Sequence, residues 1–278
     1  MTSLIKPKYD YQPISRKQID GKRKYMTPEG HAVASVTTIL DATSDKSGLM
    51  AWRKRVGEKK AQEVVTEAAG VGTRMHKYLE DYVDFGELPT PGGNPFAKKA
   101  HKMAQEVVTE AAGVGTRMHK YLEDYVDFGE LPTPGSNPFA KKAHKMAQEV
   151  VKHAMCDVDE IWGSEVALYV PQMYAGTTDL VGQYKGQPCI MDFKQTNKPK
   201  KLEYVQNYFL QLVAYAEGHN EIHGTNIREG HIFMCSRGDD GMELGGETYQ
   251  QFDVWPHEYD EWRHEWYNRV YMYYEKFA

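Results

Sequence analysis

Apolar positions change their spacing near residue 157, and the change divides the chain into two textures. Before it, the pattern predicts helices and turns. Residues 1–34 are polar and turn-rich, with Pro7, Pro13, Pro28 and Gly30. Ser35–Leu40 begins β-branched and ends apolar, so it opens either a strand or a helix. Residues 47–60 predict a basic helix anchored by Leu49, Met50 and Trp52, and residues 61–85 a helix interrupted by Gly70 and Gly72. The Pro- and Gly-rich stretch 87–95 is a loop that returns at 130–138. A helix follows each copy, the second over about 139–155. After Asp157 the pattern predicts strands at 165–170, 177–184 and 188–193, with the tight turn Lys185-Gly186-Gln187 between the last two. A helix over 202–217, strands at 230–236 and 248–254 and a final helix over 256–277 complete the order. That order predicts a mixed α/β sheet flanked by helices.

Residues 61–103 and 104–146 are the same 43-residue text, differing only at Gly93 and Ser136. The word AQEVV recurs a third time at 147–151. Helical-pair solenoids have similar periods, but two copies are fewer than a stable stack needs. Near-identity over the whole length marks a tandem duplication instead. Fold reasoning therefore uses the chain of 235 residues left when one 43-residue copy is taken from 278. The expected divisions are a polar extension (1–34), a helical region enlarged by the duplicated hairpin (35–156) and an α/β core with a C-terminal helix (157–278).

At 41% hydrophobic and 26% charged the composition is that of a globular protein. It contains no apolar run of the ~18 residues a membrane helix needs, and the N-terminus has no apolar signal region. Cys156, Cys189 and Cys235 are too few and too scattered for a disulfide framework, a four-thiolate zinc site or an all-cysteine iron–sulfur cluster. A reducing, cytoplasmic compartment is expected. The net charge of −5 argues against a purely electrostatic nucleic-acid binder. Basic clusters nonetheless stand out: Arg16-Lys17, Arg53-Lys54-Arg55, and Lys198 with Lys200 and Lys201. Taken singly, each also reads as a solvated face.

Candidate chemistry concentrates in the strands. Asp179 and Asp192 lie on two strands joined by a tight turn, so their carboxylates can converge in an antiparallel hairpin. Lys194, two residues after Asp192, points to the same side. Two carboxylates and a lysine suit a hard divalent cation beside a phosphate; a hairpin with solvated charges is the plainer alternative. On the following helix Gln211 and Tyr215 share a face, with Tyr204 and Tyr208 near it and Val205, Phe209, Leu212, Val213 and Ala216 opposite. That face suits a phosphate backbone or, equally, a packed tyrosine stripe. In the repeat, Gly72-Thr73-x-x-His76 and its copy Gly115-Thr116-x-x-His119 each put a histidine one turn before an acid, Glu80 or Glu123. Such a histidine can also be structural.

Together, G-T-x-x-H, D, D-x-K and Q-x-x-x-Y, in this order, resemble the RecB-type branch of the PD-(D/E)XK nuclease superfamily. Ser35–Leu40 followed by Leu49–Arg55 resembles, more narrowly, the mitochondrial genome maintenance exonucleases and their phage-encoded relatives. The resemblance spans about residues 33–255. It departs from the strict pattern at Thr178, where a proline would precede the first acid. The resemblance implies a restriction-endonuclease-like α/β fold and a metal-dependent DNA exonuclease of replication, recombination or repair, preferring single strands. It implies that Asp179, Asp192, the Phe193 carbonyl, Glu165 and a motif histidine hold or border Mg²⁺ or Mn²⁺, with Lys194 orienting or activating water. Gln211, Tyr215, Tyr208, Arg53, Arg55, Lys198 and Lys200 would hold the strand. It implies no iron–sulfur cluster, DNA as partner with replication or recombination proteins beside it, and the host cytoplasm if phage-encoded. A nuclease fold that binds nucleic acid with impaired catalysis is the alternative. Of the duplicated histidines, His119 is expected to serve the site over His76, because the second copy keeps the path into the sheet.

Overall fold

The computed structural model describes residues 3–19, 22–44, 112–236 and 248–277, with 54–55, 57, 59–60, 62, 90–91, 93–95 and 97–102 between them. The chain forms two compact units, Met1–Ser44 with Arg117–Ala278, and Asp45–Thr116. In the second, the described residues include short helical stretches, in which Ala97 and Ala100 are buried and Lys54 and Arg55 exposed, and the start of the helix at Ala112–Phe128. Most of the first copy of the repeat, with the expected 47–60 helix up to residue 53, lies outside the described residues.

The first unit is a mixed sheet with helices on its faces. Its strands are β1 (Ser15–Ile19), β2 (Lys22–Met26), β3 (Ala32–Ser35), β4 (Val158–Val170), β5 (Tyr174–Tyr184), β6 (Gln187–Thr196), β7 (Gly230–Ser236) and β8 (Thr248–Val254). The helices are α1 (Val36–Thr43), α2 (Ala112–Phe128), α3 (Pro138–His153), α4 (Gln206–His223) and α5 (Tyr259–Phe277). Residues 1–34, read from the sequence as a turn-rich extension, carry three of the strands. Their short, polar stretches give no clear period, and β3, paired with the neighbouring β2 on one side, has its other partner, β5, far along the chain. Ser35 resolves the ambiguity of its segment. It ends β3 and caps α1, its Oγ accepting the Thr38 N–H at 3.0 Å.

β5 organises the sheet. One edge pairs with β4 along its whole length, antiparallel from Val158↔Tyr184 to Val170↔Tyr174. The other edge is shared. β3 pairs with Tyr174 and Ala175 in parallel, and β6 pairs antiparallel only from Leu180↔Met191 to Tyr184↔Gln187. The stretch 176–179 is left between two partners, and β6 turns away to run parallel with β7 through Asp192↔Ile232 and Lys194↔Met234. Gly182 sits beside the β4 bulge, where a Cβ would lie 2.0 Å from the Glu160 carbonyl oxygen, so only glycine fits.

α4 packs against the sheet, with α5 and α1 against it. It is apolar nearly all round, burying Phe209, Leu210, Leu212, Val213, Ala214 and Ala216, and ends at Gly224 in the left-handed conformation (φ 63°). Trp162, Tyr174, Trp266 and Tyr259 fill the same core. α3 packs against β7 and β8, capped by Asn137, whose Oδ1 accepts the Phe139 N–H at 2.8 Å. Among the described residues no helix is long and apolar enough to cross a membrane.

Candidate active site

The site forms where β5 and β6 part. Their ladder stops at Leu180↔Met191, one residue short of Asp179 and Asp192. The Phe193 N–H, released from that ladder, donates instead to Asp179 Oδ2 at 2.6 Å. Asp192 is buried, 2% exposed, and its Oδ2 touches the Lys194 ammonium without receiving a well-formed hydrogen bond. On β4, Glu165 lies between Ser164↔Leu180 and Val166↔Thr178, opposite Asp179, with φ at 51°. A left-handed backbone in a glutamate costs about 1 kcal/mol and is held by its surroundings.

α2 supplies the histidine. His119 Nε2 lies 2.8 Å from the Phe193 carbonyl oxygen and 3.6 Å from Asp179 Oδ2. A bond to that carbonyl requires Nε2 to carry the proton, so here the ring serves the backbone of the D-x-K strand. His76 and Arg53 lie outside the described residues, and Arg55 belongs to the other unit.

The charges are uneven. Burial first, and then the Asp192 charge, hold the Asp179 carboxyl well above the usual carboxylate range, against the pull of Lys194 and His119. Glu165 is raised by burial and by the charge of Glu123, one helical turn beyond His119. Burial works to lower Lys194, but the charges of Asp192 and Asp179 outweigh it and keep the ammonium protonated. Lys194 is thus held as a cation beside the two carboxylates. Because folded Asp179 binds its proton more tightly than the unfolded chain, the stability this group contributes is lost as pH rises from about 4 towards neutrality. In chelator, Asp179→Asn is expected to remove this slope and to denature later than wild type at pH 8. An Asp179→Asn midpoint that does not gain on wild type between pH 4 and 8 would contradict the assignment.

Gln211 and Tyr215 are both buried, Gln211 Nε2 donating to Tyr215 Oη at 3.0 Å. Instead of an open face they form the floor of a cleft of about 200 Å³, lined also by Arg16, Ser35, Thr37, Gly176 and Thr177. A Cβ on Gly176 would meet the Tyr215 ring at 2.6 Å. Arg16 Nη2 donates to Thr177 Oγ1 at 3.4 Å, two residues before Asp179. The cleft occupies the unpaired stretch of β5 and adjoins the acidic hairpin. By sequence alone Arg16 is only part of a basic cluster; the pairing of β3 with β5 puts β1 near this edge.

Tyr208, on the first turn of α4, lies under the Lys194 ammonium, 5.4 Å from ring centre to Nζ. Lys198 and Lys200 sit on the loop after β6, with Gln250 Oε1 accepting the Lys200 N–H at 2.8 Å.

Among the described residues no three His, Cys, Asp or Glu side chains stand as a ready metal-ligand set. The donors at hand are two carboxylates and a backbone carbonyl. The charge crowding at Asp179 is what a hard cation relieves, and such ions complete their shells with water.

No family model matches the chain, and no curated protein matches it. Among solved structures it is similar to a chain named "Putative exonuclease" from Eubacterium rectale. That match has 15% identity, covers 71% of this chain and 78% of the other, and has a TM-score of 0.42.

Proposed function

We propose that this chain is a metal-dependent nuclease that hydrolyses DNA phosphodiester bonds from strand ends, with a preference for single strands. The observation that supports it most is the meeting of Asp179, Asp192, Lys194 and His119 where β5 and β6 separate. Asp179, Asp192 and the Phe193 carbonyl would hold Mg²⁺ or Mn²⁺, with Glu165 bordering the ion; oxygen donors suit these ions better than zinc. When bound, such an ion polarises a phosphoryl oxygen and lowers the pKa of a coordinated water.

The chain's own groups do the rest. Lys194 brings positive charge to the phosphate as negative charge develops there. His119 holds the Phe193 carbonyl and so fixes the strand carrying Asp192 and Lys194. The Arg16 guanidinium and the Ser35 and Thr37 hydroxyls line the adjoining cleft with donors for a phosphate, and the α1 N-terminus adds its dipole. Gln211 and Tyr215 keep that cleft open from behind.

Oligonucleotides labelled at the 5′ or the 3′ end, single-stranded and duplex, test the reading. Mg²⁺ or Mn²⁺ is expected to release short products from the single strand faster than from the duplex, and chelator to stop the reaction. Undiminished cleavage in chelator would refute metal dependence. Internal cuts without end preference would refute the exonuclease assignment.

A further inference from the structure

The loop between β6 and α4 carries side chains that the acidic hairpin does not use. After Thr196 the chain runs through Lys198, Lys200 and Lys201 into a single 3₁₀ turn, Leu202–Tyr204. Leu202 is 61% exposed and Tyr204 65%, while the next residue, Val205, is fully buried. An aliphatic and an aromatic side chain thus stand in water on a basic loop.

The backbone beneath them is pinned. The Gln250 side chain of β8 accepts the Lys200 N–H at 2.8 Å and donates to the Lys200 carbonyl at 2.9 Å. Thr196 Oγ1 donates to the Lys198 carbonyl at 2.8 Å. The turn closes through Tyr204 N–H to the Lys201 carbonyl and Val205 N–H to that of Leu202, at 3.0 and 3.1 Å. Little order is left to be gained on binding, which lowers the cost of using this surface.

We propose that the Leu202–Tyr204 turn is a stacking platform for the unpaired bases of a single-stranded nucleic acid entering the Asp179, Asp192 and Lys194 site. The proposal rests on the nuclease reading above and names how that site prefers single strands. Continuity with the site is direct. Tyr208, beside Lys194, lies four residues after Tyr204, in the first turn of α4. Charge is complementary, because Lys198, Lys200 and Lys201 offer cations to phosphates next to the exposed ring. Glu203 is the one acid on the turn, beside the three lysines that precede it. Stacking on an aromatic face tolerates every base, so the platform senses whether a base is unpaired and not which base it is. A paired base, already stacked and hydrogen-bonded, has no face to give.

Binding of a labelled oligothymidylate is compared with binding of an equally long strand of abasic sugars, in Mg²⁺ on an Asp192→Asn background so that the strand survives. The oligothymidylate is expected to bind about tenfold more tightly. Tyr204→Ala is expected to remove this preference while leaving abasic binding unchanged, and Tyr204→Phe to retain it. Equal affinity for the two strands, or a preference that survives Tyr204→Ala, overturns the platform. If the wild type still cuts single strands in that case, the nuclease reading stands without it. If neither strand binds and the wild type cuts nothing, both fall.

Discussion

Asp192→Asn is expected to lower Mg²⁺-dependent strand cleavage about a thousandfold, while leaving the denaturation midpoint of the protein nearly unchanged. Removing one well-placed electrostatic group from a reacting centre costs about 10²–10³ in rate. Asp192 combines two such roles, as a carboxylate facing the candidate ion and as the partner that keeps Lys194 protonated. Asparagine keeps the shape, relieves the repulsion with Asp179 and leaves that carboxylate to pair with the Lys194 ammonium, so the fold loses little. Lys194→Ala differs in kind. It leaves Asp179 and Asp192 together in a buried site without their cation, and breaking one side of a buried ion pair costs about 3–5 kcal/mol. That variant is expected to lose stability as well as activity. Initial rates on a labelled single strand, with urea denaturation in parallel, separate the two. Cleavage by Asp192→Asn within tenfold of wild type would show that the hairpin is not the reacting centre.

The second large effect concerns the duplication. His119→Ala is expected to cost about 10–100-fold in activity, the usual loss when a group that orients a metal-site ligand is removed. His76→Ala is expected to stay within about twofold of wild type. The reason is geometric. One strand end offers one Phe193 carbonyl, and His119 already bonds it at 2.8 Å. The path from His119 through α3 into β4 is also the one that ties the motif to the sheet. Excising residues 61–103 is then expected to leave an active, folded chain, since loop closure changes by only about 0.6 kcal/mol per doubling of loop length. Parallel assays of both alanine variants and the excision decide the point. A greater loss from His76→Ala would assign the motif to the first copy.

Local pattern carried a definite part of this molecule. The Asp179 and Asp192 hairpin, its tight turn at Lys185–Gln187 and the position of Lys194 on the side of Asp192 follow from period two and turn chemistry. The α4 helix follows from its apolar spacing, and the strands on either side of it from alternation and the turns that bound them. These features depend on neighbours in sequence, and they survive any tertiary arrangement. The N-terminal strands did not show. β1 and β2 are short and polar, and β3 is held by Tyr174 and Ala175, some 140 residues away. The exposure of Gln211 and Tyr215 was also beyond reach of helical periodicity. Periodicity gives a shared face but not what covers it, and here that face closes over the edge of β5.

The sequence by itself determined that Asp179 and Asp192 would lie on adjacent strands of a hairpin, with Lys194 on the side of Asp192. The tertiary structure alone decided where that hairpin opens. β5 divides one edge between β3 and β6, so residues 176–179 keep no ladder partner there, and Asp179 bonds the Phe193 N–H that β6 frees on turning away. It also decided that Arg16, from a hairpin remote in sequence, borders the same opening. Strand pairing between distant segments is selected by the burial of whole faces against α4 and α3, an energy no local window of residues contains.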